Sequence, residues 1–250
     1  SVGPAMGGLL IALTSPALAF ALNALSYLAL IVVLLRWRPD APPPQRQPML
    51  ASIRTGIAFC AGSSPVRRIL LRGMTFGLGA AGFHALLPVI VRERVHGTEV
   101  DYGLLLGAFG VGSILTALWI APARRRLGSE TVVSMAALIF AAMMVPLASA
   151  TTLAPLLASA LVAGGAWVAT FTTLNVAMQL RSPETILGRC LAIYQAVTFG
   201  GLALGAYALG LVADLTGVPT AIHGAAAFLA LSLPLMRWLA PMPAREEGRV

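Results

Sequence analysis

Long apolar runs, repeated along almost the whole chain, constrain it more than any other feature. A helix needs about 20 apolar residues to cross about 30 Å of hydrocarbon. Eight stretches are candidates: 1–14, 16–35, 69–91, 102–120, 131–150, 153–180, 191–213 and 218–239. The first reaches only about 20 Å at about 1.5 Å per residue, and reads as a truncated span. Charged residues make up 10% of the chain against 58% apolar, whereas a soluble domain carries about 25% charge. A soluble fold of this size has too few charges to cover its surface. The expected class is therefore an all-α, polytopic membrane helical bundle whose main partner is the lipid bilayer.

The net charge of +8 comes from 17 basic residues, all arginine, a usage that suggests a GC-rich genome. These arginines sit between apolar runs and not along one amphipathic face, which argues against nucleic acid as a partner. With the 36–68 stretch in the cytoplasm, 15 arginines fall inside and only Arg92 and Arg94 outside. Retention of arginine on the cytoplasmic side sets this orientation, and places the C-terminus in the cytoplasm. Cys60 and Cys190 are too few for a disulfide framework, and no metal-ligand or cofactor pattern is present. The chain opens inside an apolar run without a basic leader, so further sequence is expected before Ser1.

The first two spans resemble the last two. In both pairs a glycine-rich helix is followed by a turn proline (Pro16, Pro219) and an Ala/Leu-rich helix. The second helices end in Leu35-Arg36-Trp37 and Met236-Arg237-Trp238. Four spans lie between the copies, which implies two six-helix repeats. The expected organisation is the end of a first half (1–35), a linker (36–68), a second six-helix half (69–239) and a tail (240–250). Within the linker, Met49 to Cys60 has the pattern of an amphipathic surface helix.

Gly3-Pro4-Ala5-Met6-Gly7-Gly8 resembles the antiporter motif on the fifth helix of major facilitator superfamily exporters. Three further stretches are similar to the branch that includes the bacterial enterobactin exporter: Tyr102 to Ala108, Thr173 to Leu180, and Leu187 to Tyr194. The resemblance implies a major facilitator fold with eight of twelve transmembrane helices in this chain. It also implies a bacterial inner-membrane protein, monomeric when full length, that exports a small-molecule substrate in exchange for protons. The superfamily's loop motif has a faint echo in Pro122-Ala123-Arg124-Arg125-Arg126-Leu127-Gly128. There Arg125 stands at the aspartate position, so the motif's gating charge pair does not carry over. Arg189, in a Gly-Arg turn, is read as a contact to helix ends.

Polar groups inside spans are costly and tend to face a cavity. Thr172, Asn175 and Gln179 lie at i, i+3 and i+7 and share one helix face. Asn175 either faces the pathway or bonds a neighbouring helix; Gln179 caps the helix or reaches water. His84 lies about 22 Å into its helix. It either takes part in proton coupling or is a neutral histidine bonded to another helix. Gln195 begins the seventh span, beside Tyr194, which either lines the inner mouth or, the favoured reading, is an interface aromatic. Arg72, one turn inside its helix, is expected to snorkel to the surface. Gly73/Gly77, Gly103/Gly107 and Gly201/Gly205 have the spacing of close helix contacts, as have Gly3/Gly7.

Catalysis would need a nucleophile with its base, paired carboxylates or metal ligands, and no span carries such a set. An enzyme is therefore not expected. Secondary transport of a siderophore-like or amphipathic drug-like molecule is the favoured function. Uptake of a small metabolite, or a non-transporting sensor or scaffold, are the alternatives.

Overall fold

A computed structural model describes residues 16–37 and 48–242. Helix α1 (Pro16–Arg36) matches the second predicted span. Helix α2 (Met49–Gly62) lies in the linker, where the amphipathic helix is expected. Six longer helices follow: α3 (Ser64–Glu93), α4 (Glu99–Leu127), α5 (Ser129–Ser149), α6 (Leu153–Arg181), α7 (Leu187–Thr216) and α8 (Val218–Leu239). All six are long and apolar enough to cross a membrane. The first predicted span, with Gly3, Pro4, Gly7 and Gly8, lies outside the described residues, as do positions 38–47 and most of the tail.

Local chemistry sets the helix ends. Helix α4 starts three residues before Tyr102 because Thr98 and Asp101 form a capping box. The Thr98 N–H donates to Asp101 Oδ2 at 2.7 Å and the Asp101 N–H to Thr98 Oγ1 at 3.4 Å, so two backbone donors at the helix start are satisfied. Single glycines join α4 to α5 and α7 to α8. Gly128 has φ 81°, ψ 154° and Gly217 has φ 90°, ψ 152°, a region open essentially to glycine alone. These near-identical turns occupy equivalent places in two helix triplets, α3–α5 and α6–α8. The triplets run in opposite directions, as in an inverted repeat.

The triplets interlock by exchange. Helix α3 packs along α7, and α4 along α6, while α5 and α8 lie against each other and against α6 and α3 respectively. At the α3–α7 crossing, a Cβ on Gly77 would strike the Thr198 carbonyl. One on Gly201 would lie 2.6 Å from the Met74 carbonyl oxygen, and one on Gly205 2.5 Å from that of Leu78. Two of the predicted glycine pairs thus pack against each other. The α4–α6 crossing centres on Gly112 and Gly164, which face the carbonyls of Leu161 and Phe109. There Ser113 Oγ donates to the Gly164 carbonyl across the helices at 3.0 Å. Close backbone approach supplies dispersion contacts where lipid offers no hydrophobic drive. Most of the surface of α4 and α7 is exposed apolar side chain, including Leu118, Trp119, Tyr207 and Leu215. Lipid tolerates this; water would not.

Candidate functional site

Helix α6 carries a ridge of four residues at intervals of four: Trp167, Phe171, Asn175 and Gln179. Successive positions shift by about 40°, so they form one slowly turning row. Its upper part is aromatic and its lower part amide. Trp167 stacks on Phe171 with ring centres 6.0 Å apart and planes 9° apart. Phe171 meets Phe199 of α7 at 5.7 Å. Gln179 Nε2 donates to Asn175 Oδ1 at 2.6 Å, so this amide pair is fixed within its own helix. Asn175 and Thr172 are half-buried and Gln179 is exposed.

His84 closes the aromatic end of the row. Its ring meets Trp167 edge-on at 4.6 Å and also contacts Phe109 at 5.5 Å. Phe83, Phe109 and Phe140 complete a ring-lined wall around it. Nε2 is buried and meets no hydrogen-bond partner among the described residues, so the expected bond to a neighbouring helix is not formed. A buried polar atom without a partner is costly, and marks a position where a ligand or ion would gain a bond. On α7, Gln195 lies one turn before Phe199 and is exposed. Helices α6 and α7 run antiparallel, so the Phe171–Phe199 contact sets Gln195 level with Asn175. The structure therefore gathers His84, Asn175, Gln179 and Gln195 around an aromatic strip, with Thr172 one position off the ridge.

The loop arginines belong elsewhere. Arg124, Arg125 and Arg126 end α4, where cations favour the helix dipole, and Arg125 and Arg126 are exposed. Gly128 makes the buried turn that follows them. Arg189 is half-buried, and its stem packs on α2, where a Cβ on Gly56 would lie 3.2 Å from Arg189 Cβ.

Two readings of the sequence are corrected here. Arg72 does not snorkel: it is 4% exposed. Its Nη2 donates to both oxygens of Glu130, at 2.7 and 2.8 Å, and to the Met236 carbonyl at 3.1 Å. Its Nε donates to the Ala240 carbonyl at 2.7 Å. The Met242 N–H donates to Glu130 Oε2 at 2.8 Å. One guanidinium thus ties the start of α5 and the end of α8 to α3, and the acceptors at Nε and Nη2 offset its cost of burial. Tyr194 is fully buried and donates to the Phe171 carbonyl at 3.4 Å, so it backs the aromatic strip instead of sitting at a membrane interface.

The sequence matches the model of the transmembrane secretion effector family, a major facilitator group, over residues 1–249. The chain belongs to this family. No curated protein matches it. As a facilitator-type membrane transporter it needs a face that meets substrate and a frame that holds the helices. The aromatic–amide row and the Arg72–Glu130 cluster are candidates for these two parts.

Cys60 of α2 and Cys190 of α7 are both buried free thiols. Burial, followed by the neighbouring Cys190 sulfur, pushes the Cys60 thiol up to about 11. A raised thiol stays protonated at neutral pH, and the thiol form is a poor nucleophile. Maleimide labelling of Cys60 in the native transporter at pH 7.5 is expected to be at least tenfold slower than in denaturant. Equal rates would show that α2 does not stay docked on α7.

Proposed function

We propose that this transporter is a proton-coupled exporter of amphipathic, siderophore-like or drug-like small molecules, working by alternating access in the bacterial cytoplasmic membrane. The observation that supports this reading most is the row from His84 through Trp167 and Phe171 to Asn175 and Gln179. An aromatic strip ending in amides suits a flat, largely apolar molecule with a few hydrogen-bonding groups. It offers no fixed charge to hold a phosphate or a carboxylate. His84 is the titratable group on this strip, and its unpartnered nitrogen is the proposed proton site. The assignment of α3–α8 as one half of a six-plus-six transporter is part of the same proposal and rests on the internal repeat.

The test is accumulation of a fluorescent amphipathic dye in an efflux-deficient bacterium expressing the protein, with and without a protonophore. Export lowers accumulation, and the protonophore restores it. Burying a large apolar side chain is worth roughly 1.5–3 kcal/mol, so Trp167→Ala is expected to weaken apparent dye affinity about tenfold or more. His84→Phe keeps a ring in the same wall, and should leave folding intact while flattening the pH dependence of export. Unchanged accumulation with confirmed membrane insertion would remove the drug-exporter reading. A normal pH profile in His84→Phe would remove the histidine from coupling.

A further inference from the structure

Away from the aromatic row, α4, α5 and α6 enclose an apolar groove of about 390 Å³. Its floor is the far side of α6, at Val162, Gly165 and Ala169. These positions lie roughly 150° around the helix from the Trp167 ridge, at about 100° per residue. Helix α4 forms one wall from Gly112 to Leu127, and α5 forms the other at Met135 and Ile139. The lining is almost entirely apolar, and a second shallow apolar hollow of about 310 Å³ continues over Leu115 and Trp119 on the outside of α4.

Length and charge identify the occupant. From Leu127 to Gly112 the groove runs 15 residues, or about 22 Å. One leaflet comprises about 15 Å of hydrocarbon and a further 5–7 Å of headgroup region, so the groove has the length of one lipid. At the Leu127 end Arg126 is exposed and, at about 100° per residue, lies on the same side of α4 as Leu115 and Trp119, whereas Arg125 falls on the side away from the lining residues Gly112, Thr116 and Ala123. Two adjacent hollows sharing Leu115, Thr116 and Ala123 suit two acyl chains. A basic side chain at the end of an apolar slot between helices matches an anionic headgroup. We propose that this groove is a binding site for an anionic glycerophospholipid, with one chain between α4 and α5, the other over Leu115 and Trp119, and the phosphate held by Arg126. The site is independent of the substrate face, so it stands or falls separately from the transport reading.

The purified full chain would be equilibrated with equal amounts of phosphatidylglycerol and phosphatidylcholine of matched chains, and the bound lipid counted by native mass spectrometry. One retained phosphatidylglycerol per chain is expected. A surface arginine contributes about fivefold to anionic lipid binding, so Arg126→Gln should lower phosphatidylglycerol retention roughly fivefold and abolish the preference, while Arg125→Gln, on the far side of α4, should change it little. Val162→Trp fills the floor and should remove the bound lipid of either kind. Ile139→Trp, at a position 40% exposed, does the same from the wall and guards against a folding defect in the first variant. Equal retention of the two lipids by the unaltered chain would overturn the proposal. So would an unchanged preference in Arg126→Gln, or a lipid-free two-chain species showing that a second copy fills the groove.

Discussion

Glu130→Gln is expected to lower the melting temperature of the purified transporter by on the order of 10 °C. The change removes one charge from a site where the Arg72 side chain is 3% exposed and that of Glu130 13%. Breaking a buried pair by removing one partner costs about 3–5 kcal/mol, because the remaining charge stays desolvated. In a domain of this size each kcal/mol is worth roughly 2–4 °C. Arg237 approaches Glu130 at 3.9 Å but is 62% exposed, so it adds little. Removing both charges as Arg72→Met with Glu130→Leu should be less damaging than either single change. Exchanging them as Arg72→Glu with Glu130→Arg should not rescue. A carboxylate at position 72 has no proton to donate to the Met236 and Ala240 carbonyls. Thermal unfolding of these variants and of the single changes Arg72→Met and Glu130→Leu, followed by tryptophan fluorescence, decides the matter. A melting temperature for Glu130→Gln within 2 °C of the parent would sink the account.

Gly112→Ala is expected to prevent α4 from closing on α6. The new methyl would meet the Leu161 carbonyl, its carbon and its Cα. All three belong to backbone, which cannot rotate away as a side chain does. The cost should reach or exceed the roughly 1–3 kcal/mol usual for overpacking, with loss of monodisperse protein on size exclusion. Gly200→Ala is the matched control, since a Cβ there meets nothing within 4 Å. That change should be neutral or slightly stabilising, because alanine is the better helix former. Equal behaviour of the two variants would show that the α4–α6 crossing does not depend on backbone contact.

The spans were readable because hydropathy and length decide them. Helix α8 has the bounds expected from sequence, Val218–Leu239, where apolar residues begin after Gly217 and stop at Ala240. Boundaries shifted where polar residues continue a helix. Thr98 and Asp101 carry α4 outward beyond the apolar run, and Ser64 and Pro65 extend α3. The glycine pairs on α3 and α7 were also readable, since their spacing is local. Their partners were not, and neither was the crossing at Gly112 and Gly164. Arg72 was misread for a related reason. An arginine one turn inside a helix looks the same whether it reaches water or a carboxylate, and Glu130 lies 58 residues away. The useful sign was that Glu130 directly follows the arginine–glycine loop, where one acidic residue faces a basic run. Of the candidate site, the amide positions were legible from helical phase. The aromatic strip that joins them to His84 depends on how α3, α6 and α7 meet, which no single helix records.

The glycine crossings divide the labour of the sequence. What holds α3 to α7 and α4 to α6 is largely main chain against main chain, and main chain is the same whatever side chains are carried elsewhere. Trp167, Phe171, Asn175 and Phe199 take no part in those crossings. On the proposed reading of the strip as the substrate face, exchange of these residues alters what it binds while the frame keeps its glycines and its geometry. On that reading, variation in cargo is separated from variation in fold: a lineage built on this scaffold can change its chemical repertoire one side chain at a time without passing through unfolded intermediates.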